Sequence, residues 1–216
     1  MYYPYIRQQV KHSSRLITVV GNGEVMAEPD VATIQLEINT QSKELQEAQQ
    51  ENAALMNQVL QSLYQLGIQR ENIQTVTYSI FPRYDYVDGE QVFRGYEVTN
   101  AISVTLSDIQ QVGTVIDTVV ANGANRVSNV QFSVRNVEQH KQEAIVKALQ
   151  DAQVKASTIA NTLHLQIDSQ PIKVTELDGG GEPPVAFKSV TMAAGGTPIE
   201  GGQISIRSIM RVQYEY

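Results

Sequence analysis

Hydrophobic residues recur along the chain at two different periods, and these periods separate strands from helices. Alternation of apolar and polar positions after Val31, with Ile34, Leu36 and Ile38 on one side, predicts a strand with one buried face. The same alternation over 76–86, 92–106 and 130–134 predicts three more strands, and an Asp-Gly turn joins the first two into a long hairpin. Apolar residues at helical spacing predict helices over 45–66, 109–119 and 136–163.

Helix-start and helix-stop residues flank these helices. Ser42 is the predicted cap of the first helix, and Gly67 is its predicted stop. The second helix is predicted to open at Ser107–Asp108 and to close at a following Asn-Gly pair, and Asn136 is predicted to begin the third with a capping box. From residue 31 to 134 the order is therefore strand, helix, strand, strand, helix, strand. This order predicts an α+β protein with a ferredoxin-like βαββαβ unit, in which two helices cover one face of an antiparallel sheet.

The remaining elements predict a second, smaller α+β lobe. It combines the long third helix, strands near 172–177 and 203–216, and an N-terminal strand over 16–25. The predicted domains are a tail over 1–15, the ferredoxin-like lobe over 31–135, and a second lobe of 16–30 with 136–216. Within that lobe, residues 178–202 hold half of the chain's 14 glycines and are predicted to form a flexible loop. The buried stripe of the third helix is predicted to consist of small residues: Ala144, Ala148, Ala152, Ala156 and Ala160.

Charge and composition exclude several classes of function. The net charge of −7 leaves no excess of basic residues to neutralise phosphates, so no nucleic-acid partner is expected. The absence of cysteine excludes disulfides, thiolate catalysis and cysteine zinc sites. No segment has the ~18 consecutive apolar residues of a membrane span. The first residues lack the apolar run of a secretion signal, so a cytoplasmic protein is expected, with an exported or envelope-associated protein as the alternative if a leader has been removed.

Glycines 21 and 23 and the three histidines are the first candidates for binding chemistry. Gly21-Asn22-Gly23 lacks the third glycine and the following helix of a dinucleotide fingerprint, so a tight turn or bulge is predicted there. His12, His140 and His164 lack the spacing of metal ligands, and structural roles are predicted for them. No cofactor and no metal are expected.

Two groups of carboxylates are the remaining candidates. Asp85, Asp88 and Glu90 lie near the predicted hairpin turn, where a solvated turn is favoured over a cation site because the spacing differs from a calcium loop. The second group, Glu24, Glu28 and Asp30, offers carboxylates for acid–base catalysis. A hydrolase built on them is the least favoured hypothesis, since no nucleophile with a base accompanies them, and no catalytic residue is predicted.

Aromatic residues concentrate on the predicted hairpin. Large aromatic side chains with a polar group are typical anchors of protein interfaces, and they also pack across strands within a sheet. Both interpretations are open from the sequence. The candidate interface residues are Tyr78, Tyr84, Tyr86, Phe93 and Tyr96.

Several blocks together resemble one known family. The opening segment over 16–38, with its Gly-x-Gly and Pro-Asp, resembles the start of the SIMPL domain. Further similar blocks lie at 66–75, 95–105, 123–125 with 130–134, 144–160 and 197–206, so the resemblance covers roughly residues 16–216. The family includes a periplasmic immunogenic antigen, an oxidative-stress defence protein and a eukaryotic kinase adaptor, and it has no agreed enzymatic activity. The resemblance implies a bacterial protein of this kind, and the antigen's large ring-shaped assembly implies a homo-oligomer.

The sequence therefore predicts a non-enzymatic protein that acts through self-assembly or a protein partner, with a stress-related role implied by the resemblance. The alternative is a stress protein that binds a small molecule or a metal between the two lobes.

Overall fold

The computed structural model describes residues 15–177, 186–187 and 197–216 of the chain. The predicted N-terminal tail, apart from Arg15, and most of the predicted 178–202 loop lie outside the described residues, as does His12. The described part contains three α-helices: α1 (Leu45–Gln65), α2 (Val112–Ala121) and α3 (Val137–Thr162). Its strands are β1 (Leu16–Ala27), β2 (Val31–Ser42), β3 (Ile73–Val87), β4 (Glu90–Leu106), β5 (Arg126–Ser133), β6 (Lys173–Leu177), β7 (Ala186–Phe187) and β8 (Gln203–Glu215).

The strands form two sheets, which belong to two compact units. The central unit contains β2 to β5, α1 and α2, together with the described residues of 186–204. The terminal unit contains most of β1, α3, β6 and most of β8. The predicted α+β class is confirmed, because each unit combines an antiparallel sheet with helices.

In the central unit the strand order is β3-β4-β2-β5, and every neighbouring pair is antiparallel. The predicted order of elements is present, and the name ferredoxin-like stays a prediction for this unit. The alternating residues of β2 and β4 share one core with α1 and α2. The largest fully buried side chains of this core are Ile34, Leu36, Ile38, Leu63, Val59, Val104, Val112, Val115 and Val119.

The helix ends follow the predicted signals in part. Gly67 and Gly123 adopt positive φ angles of 83° and 111° just after α1 and α2, as helix-stopping glycines do. Ser42 is not the cap of α1, because it lies two residues before Glu44 and its hydroxyl bonds to the backbone N–H of Glu44 and to the Glu47 carboxylate. The predicted capping box of α3 is also wrong, since Asn136 makes no side-chain cap bond.

In the terminal unit the strand order is β1-β8-β6, and β7 pairs with the first residues of β8. Helix α3 packs on the sheet through the five predicted alanines, each at most 1% exposed. Ala148, Ala152, Ala156 and Ala160 share a core with Ile17 and Val19 of β1 and with Met210, Val212 and Tyr214 of β8.

The turn predicted at Gly21-Asn22-Gly23 is wrong, because β1 continues through all three residues as one strand. Both glycines lie on the buried side of the strand. A Cβ atom added to Gly21 would overlap the carbonyl oxygen of Ala148, and one added to Gly23 would overlap that of Ala144. These glycines are therefore required by the close approach of the α3 backbone and not by an unusual φ.

We expect Gly21→Ala and Gly23→Ala to destabilise the protein by about 1–3 kcal/mol each, since α3 must move to admit the new methyl group. Urea unfolding at neutral pH measures the loss. Asn22→Ala is the matched control, because the Asn22 side chain is exposed on the same strand. Equal stability of Gly21→Ala and Asn22→Ala would contradict the close contact.

Candidate interaction surface

The hairpin of β3 and β4 continues beyond the part of the sheet that the helices cover. Every residue from 81 to 94 is exposed, whereas Gly95, Val98 and Ala101 farther along β4 are buried. We call residues 81–94 the arm. It is a two-stranded ribbon with both faces in water, closed by Asp88 and Gly89 at φ angles of 52° and 86°. Two consecutive positive φ angles at Asp-Gly form the predicted hairpin turn.

The arm exposes large apolar side chains. Tyr86 is 76% exposed and Phe81 is 63% exposed, and Tyr84 and Phe93 are each nearly half exposed. Of the predicted interface residues, Tyr84, Tyr86 and Phe93 lie on the arm. The other two lie just outside it: Tyr78 is 51% exposed, and Tyr96 is half-buried. Phe81 also belongs to this surface and was missed by the sequence analysis, although its place between Ile80 and Pro82 on the hairpin was visible.

Cross-strand packing, the other interpretation of these aromatics, also occurs. The rings of Tyr84 and Phe93 meet edge to face with centroids 5.6 Å apart, and those of Phe93 and Tyr96 do so at 5.3 Å. Arg94 and Asp85 form an ion pair across the same ribbon, with 2.7 Å between Nε and Oδ2. These contacts hold the arm in its extended form while leaving much of the ring surface in water.

The exposed edges of the two sheets differ in how they are protected. An edge strand presents unpaired N–H and C=O groups to which another strand can add. Along β1 these groups are bonded by side chains of α3: Lys155 donates to the Val20 carbonyl at 2.9 Å, Asp151 accepts from the Asn22 N–H at 2.8 Å, and Lys147 donates to the Glu24 carbonyl at 2.9 Å.

The three side chains that bond the β1 edge are four residues apart, so they follow one face of α3. Lys155 and Asp151 also pair with each other at 2.6 Å. We call Lys147, Asp151 and Lys155 the edge seal. Within the described residues, the β3 edge of the arm has no comparable series of bonds from a helix. The two edges therefore differ in their capacity to pair with another chain.

Of the three carboxylates considered for catalysis, Glu24 and Asp30 have hydrogen-bond partners, and Glu28 is exposed. Glu24 accepts hydrogen bonds from the hydroxyl of Ser205 and from the guanidinium of Arg207. These donors lower the pKa of Glu24, and Ser205 is the larger cause. Asp30 accepts from the backbone N–H of Arg135 at 2.7 Å.

Two further kinds of functional feature are a metal site and a membrane-spanning helix. Within residues 15–177, 186–187 and 197–216, no group of three or more His, Cys, Asp or Glu side chains is arranged to hold a metal ion. No helix in the same ranges combines the length and the apolar character that crossing a membrane requires.

A cavity of about 390 Å³ in the central unit is lined mainly by polar groups, among them Glu71, Asn72 and Asp108.

We expect the double variant Lys147→Met, Lys155→Met to aggregate more readily than the parent, because it leaves two backbone carbonyls of the β1 edge without their donors. Fluorescence of a cross-β dye and light scattering during incubation measure the change. Lys141→Met is the control, since Lys141 lies on α3 outside the edge seal and its ion pair with Glu176 spans 4.0 Å. Aggregation equal to that of the control would contradict a protective role.

A second prediction concerns Asp117 on α2, which accepts hydrogen bonds from the backbone N–H and the hydroxyl of Thr197 at 3.1 and 2.5 Å. These bonds lower the pKa of Asp117 in the folded protein, with the hydroxyl the larger cause. A lowered folded-state pKa adds stability above the unfolded-state pKa, and this stability is lost as the pH falls through the folded-state pKa. We therefore expect Asp117→Asn to be less stable than the parent at pH 7.

The difference between Asp117→Asn and the parent should shrink as the pH falls below 4, where the parent carboxylate also becomes neutral. Urea unfolding at pH 7, 5 and 3 measures this trend. Glu51→Gln on the exposed side of α1 is the control. A difference that stays constant across the pH range would show that the charge of Asp117 contributes nothing.

The chain is similar to known proteins over most of its length. Residues 17–214 match the SIMPL family, which is described as a protein of unknown function (DUF541). The chain is 29% identical over 210 residues to the 26 kDa periplasmic immunogenic protein of Brucella melitensis, covering 92% of this chain and 84% of that protein. It is 26% identical over 151 residues to the uncharacterized protein YggE of Escherichia coli K12, covering 70% and 61% of the two chains.

A human relative extends this similarity beyond bacteria. The interleukin-1 receptor-associated kinase 1-binding protein 1 of Homo sapiens is 25% identical over 178 residues, covering 81% of this chain and 64% of that protein. The family match spans nearly all of the described elements, from the first residues of β1 to the last of β8. The chain therefore belongs to the SIMPL (DUF541) family.

Proposed function

We propose that this protein acts without catalysis, by associating with further copies of itself through the arm. The observation that carries the proposal is that all of residues 81–94 are exposed, on both faces of the ribbon, while the ribbon holds four aromatic rings. An isolated two-stranded hairpin is marginally stable in water. A second surface that covers the rings would stabilise both the hairpin and the complex.

The chemistry of the arm agrees with an interface. Tyrosine and phenylalanine are enriched at the centres of protein interfaces, where burial of their rings contributes most of the binding free energy. Two of the four arm aromatics, Tyr84 and Phe93, are already held by their edge-to-face contact, so these two side chains have less freedom to lose on binding. The edge seal directs association away from β1, because the Val20 carbonyl, the Asn22 N–H and the Glu24 carbonyl of that strand are already bonded.

The relatives support two parts of the proposal. One relative is named for binding a kinase, which favours protein binding over catalysis as the shared property. Another is named as periplasmic, which favours the exported or envelope-associated alternative for this chain. The comparisons lend no support to the cytoplasmic location expected from the sequence. A stress-related role rests on the resemblance alone.

We expect the purified protein to form a species larger than a monomer at micromolar concentration, and the triple variant Tyr84→Ser, Tyr86→Ser, Phe93→Ser to shift toward the monomer by at least tenfold in dissociation constant. Removal of three exposed rings takes away the apolar area that the interface buries. Size-exclusion chromatography with light scattering across a concentration series measures the shift.

Tyr64→Ser is the matched control, because Tyr64 is 45% exposed on α1 and lies outside the arm. It should associate as the parent does. A parent protein that is a strict monomer over the whole concentration range would contradict self-association. An assembly that the triple variant leaves unchanged would show that another surface carries it.

A further inference from the structure

We propose that the arm of one copy docks on the β1-β8-β6 sheet of a second copy, on the face opposite α3. The inference rests on the proposed function, since it names the surface that receives the arm. We call this receiving surface the open face. It is defined by the residues of the terminal-unit sheet that alternate with the core residues packed on α3.

The open face combines apolar side chains with basic ones. On β1, Leu16, Val20 and Met26 alternate with buried residues and are 38%, 39% and 42% exposed. On β8, Arg207 and Arg211 are exposed between the core residues of that strand. Lys173 of β6 pairs in register with Gln213 and so lies on the same side of the sheet. An apolar surface edged by cations suits an apolar partner that carries negative charge.

The arm has the complementary composition. Its aromatic rings are flanked near the turn by Asp88 and Glu90, and neither carboxylate has an ion-pair partner among the described residues. On the open face, Arg211 and Lys173 likewise have no ion-pair partner within the described part of the chain. The open face also carries Glu24, which pairs with Arg207, and Glu215, so Lys173 and Arg211 are its two unpaired cations. These two cations can meet the two unpaired carboxylates of the arm.

The arm exposes enough apolar area to form a substantial part of an interface. At their observed exposures the four arm aromatics present roughly 450 Å² of ring surface, on the order of half of the ~800 Å² that each partner buries in a typical stable interface. Val87 and Val92 of the arm, 44% and 36% exposed, add further apolar area.

The geometry has a consequence for assembly. The two surfaces differ, so the contact is heterologous, and a bound pair still presents one free arm and one free open face. Association through this contact is therefore not limited to a dimer. An arm-to-arm contact, in contrast, uses the same surface on both copies and stops at two.

Charge reversal tests the pairing. The arm variant is Glu90→Lys, Gln91→Lys, which keeps Asp88 because that residue has a positive φ in the turn. The face variant is Lys173→Glu, Arg211→Glu. We expect each variant alone to associate at least tenfold more weakly than the parent at low salt. We expect a 1:1 mixture of the two variants to recover assembly, because each reversed arm then meets a reversed face and each parent arm meets a parent face.

Size-exclusion chromatography with light scattering at 50 mM and 500 mM salt measures all species. Glu51→Lys and Arg70→Glu are control reversals on exposed residues outside both surfaces, and they should behave as the parent. Circular dichroism of each variant checks that it is folded. The quadruple variant that carries all four substitutions should also assemble, since its reversed arm matches its reversed face.

The outcomes separate this inference from the proposed function. A monomeric parent contradicts self-association as a whole. A parent assembly that is weakened by the arm variant and unaffected by the face variant contradicts the open face while leaving the arm in its role, and it indicates an arm-to-arm contact. Failure of the mixture and of the quadruple variant to recover assembly also contradicts the pairing.

Discussion

The closeness of α3 to β1 is the constraint on which the terminal unit depends. Gly21 and Gly23 of the strand face Ala144, Ala148 and Ala152 of the helix, and no Cβ atom fits between the two backbones. Small residues on both sides bring the helix near enough for lysine and aspartate side chains to reach the backbone at the strand edge. The packing of the core and the protection of the edge are therefore two results of the same contact.

The β1 edge and the arm illustrate opposite treatments of exposed β-structure. At β1, three charged side chains of α3 bond to the carbonyl of Val20, the N–H of Asn22 and the carbonyl of Glu24, so these three groups are not free to pair with another strand. On the arm, aromatic rings and backbone both stay exposed. The proposed self-association rests on this contrast between a bonded edge and an exposed aromatic ribbon.

Three carboxylates of the described chain make hydrogen bonds that hold elements of the fold together. Glu24 bonds to β8, Asp117 holds Thr197 beside α2, and Asp151 belongs to the edge seal. Their pKa values are lowered by hydrogen-bond donors, which keeps them charged and bonded in the folded protein. Carboxylates in acid catalysis show the opposite change, since burial raises their pKa toward neutrality.

The sequence by itself determined the elements of the fold and their class, because helix and strand periods are local properties. It also determined which residues of the hairpin are aromatic. Only the tertiary structure decided that Gly21 and Gly23 serve a close helix contact. The conformational freedom of glycine predicted a turn there. The actual constraint is the backbone of α3, which lies about 125 residues away in the sequence. The edge seal was hidden for the same reason: Lys147, Asp151 and Lys155 read as an ordinary solvated helix face until β1 is placed beside them.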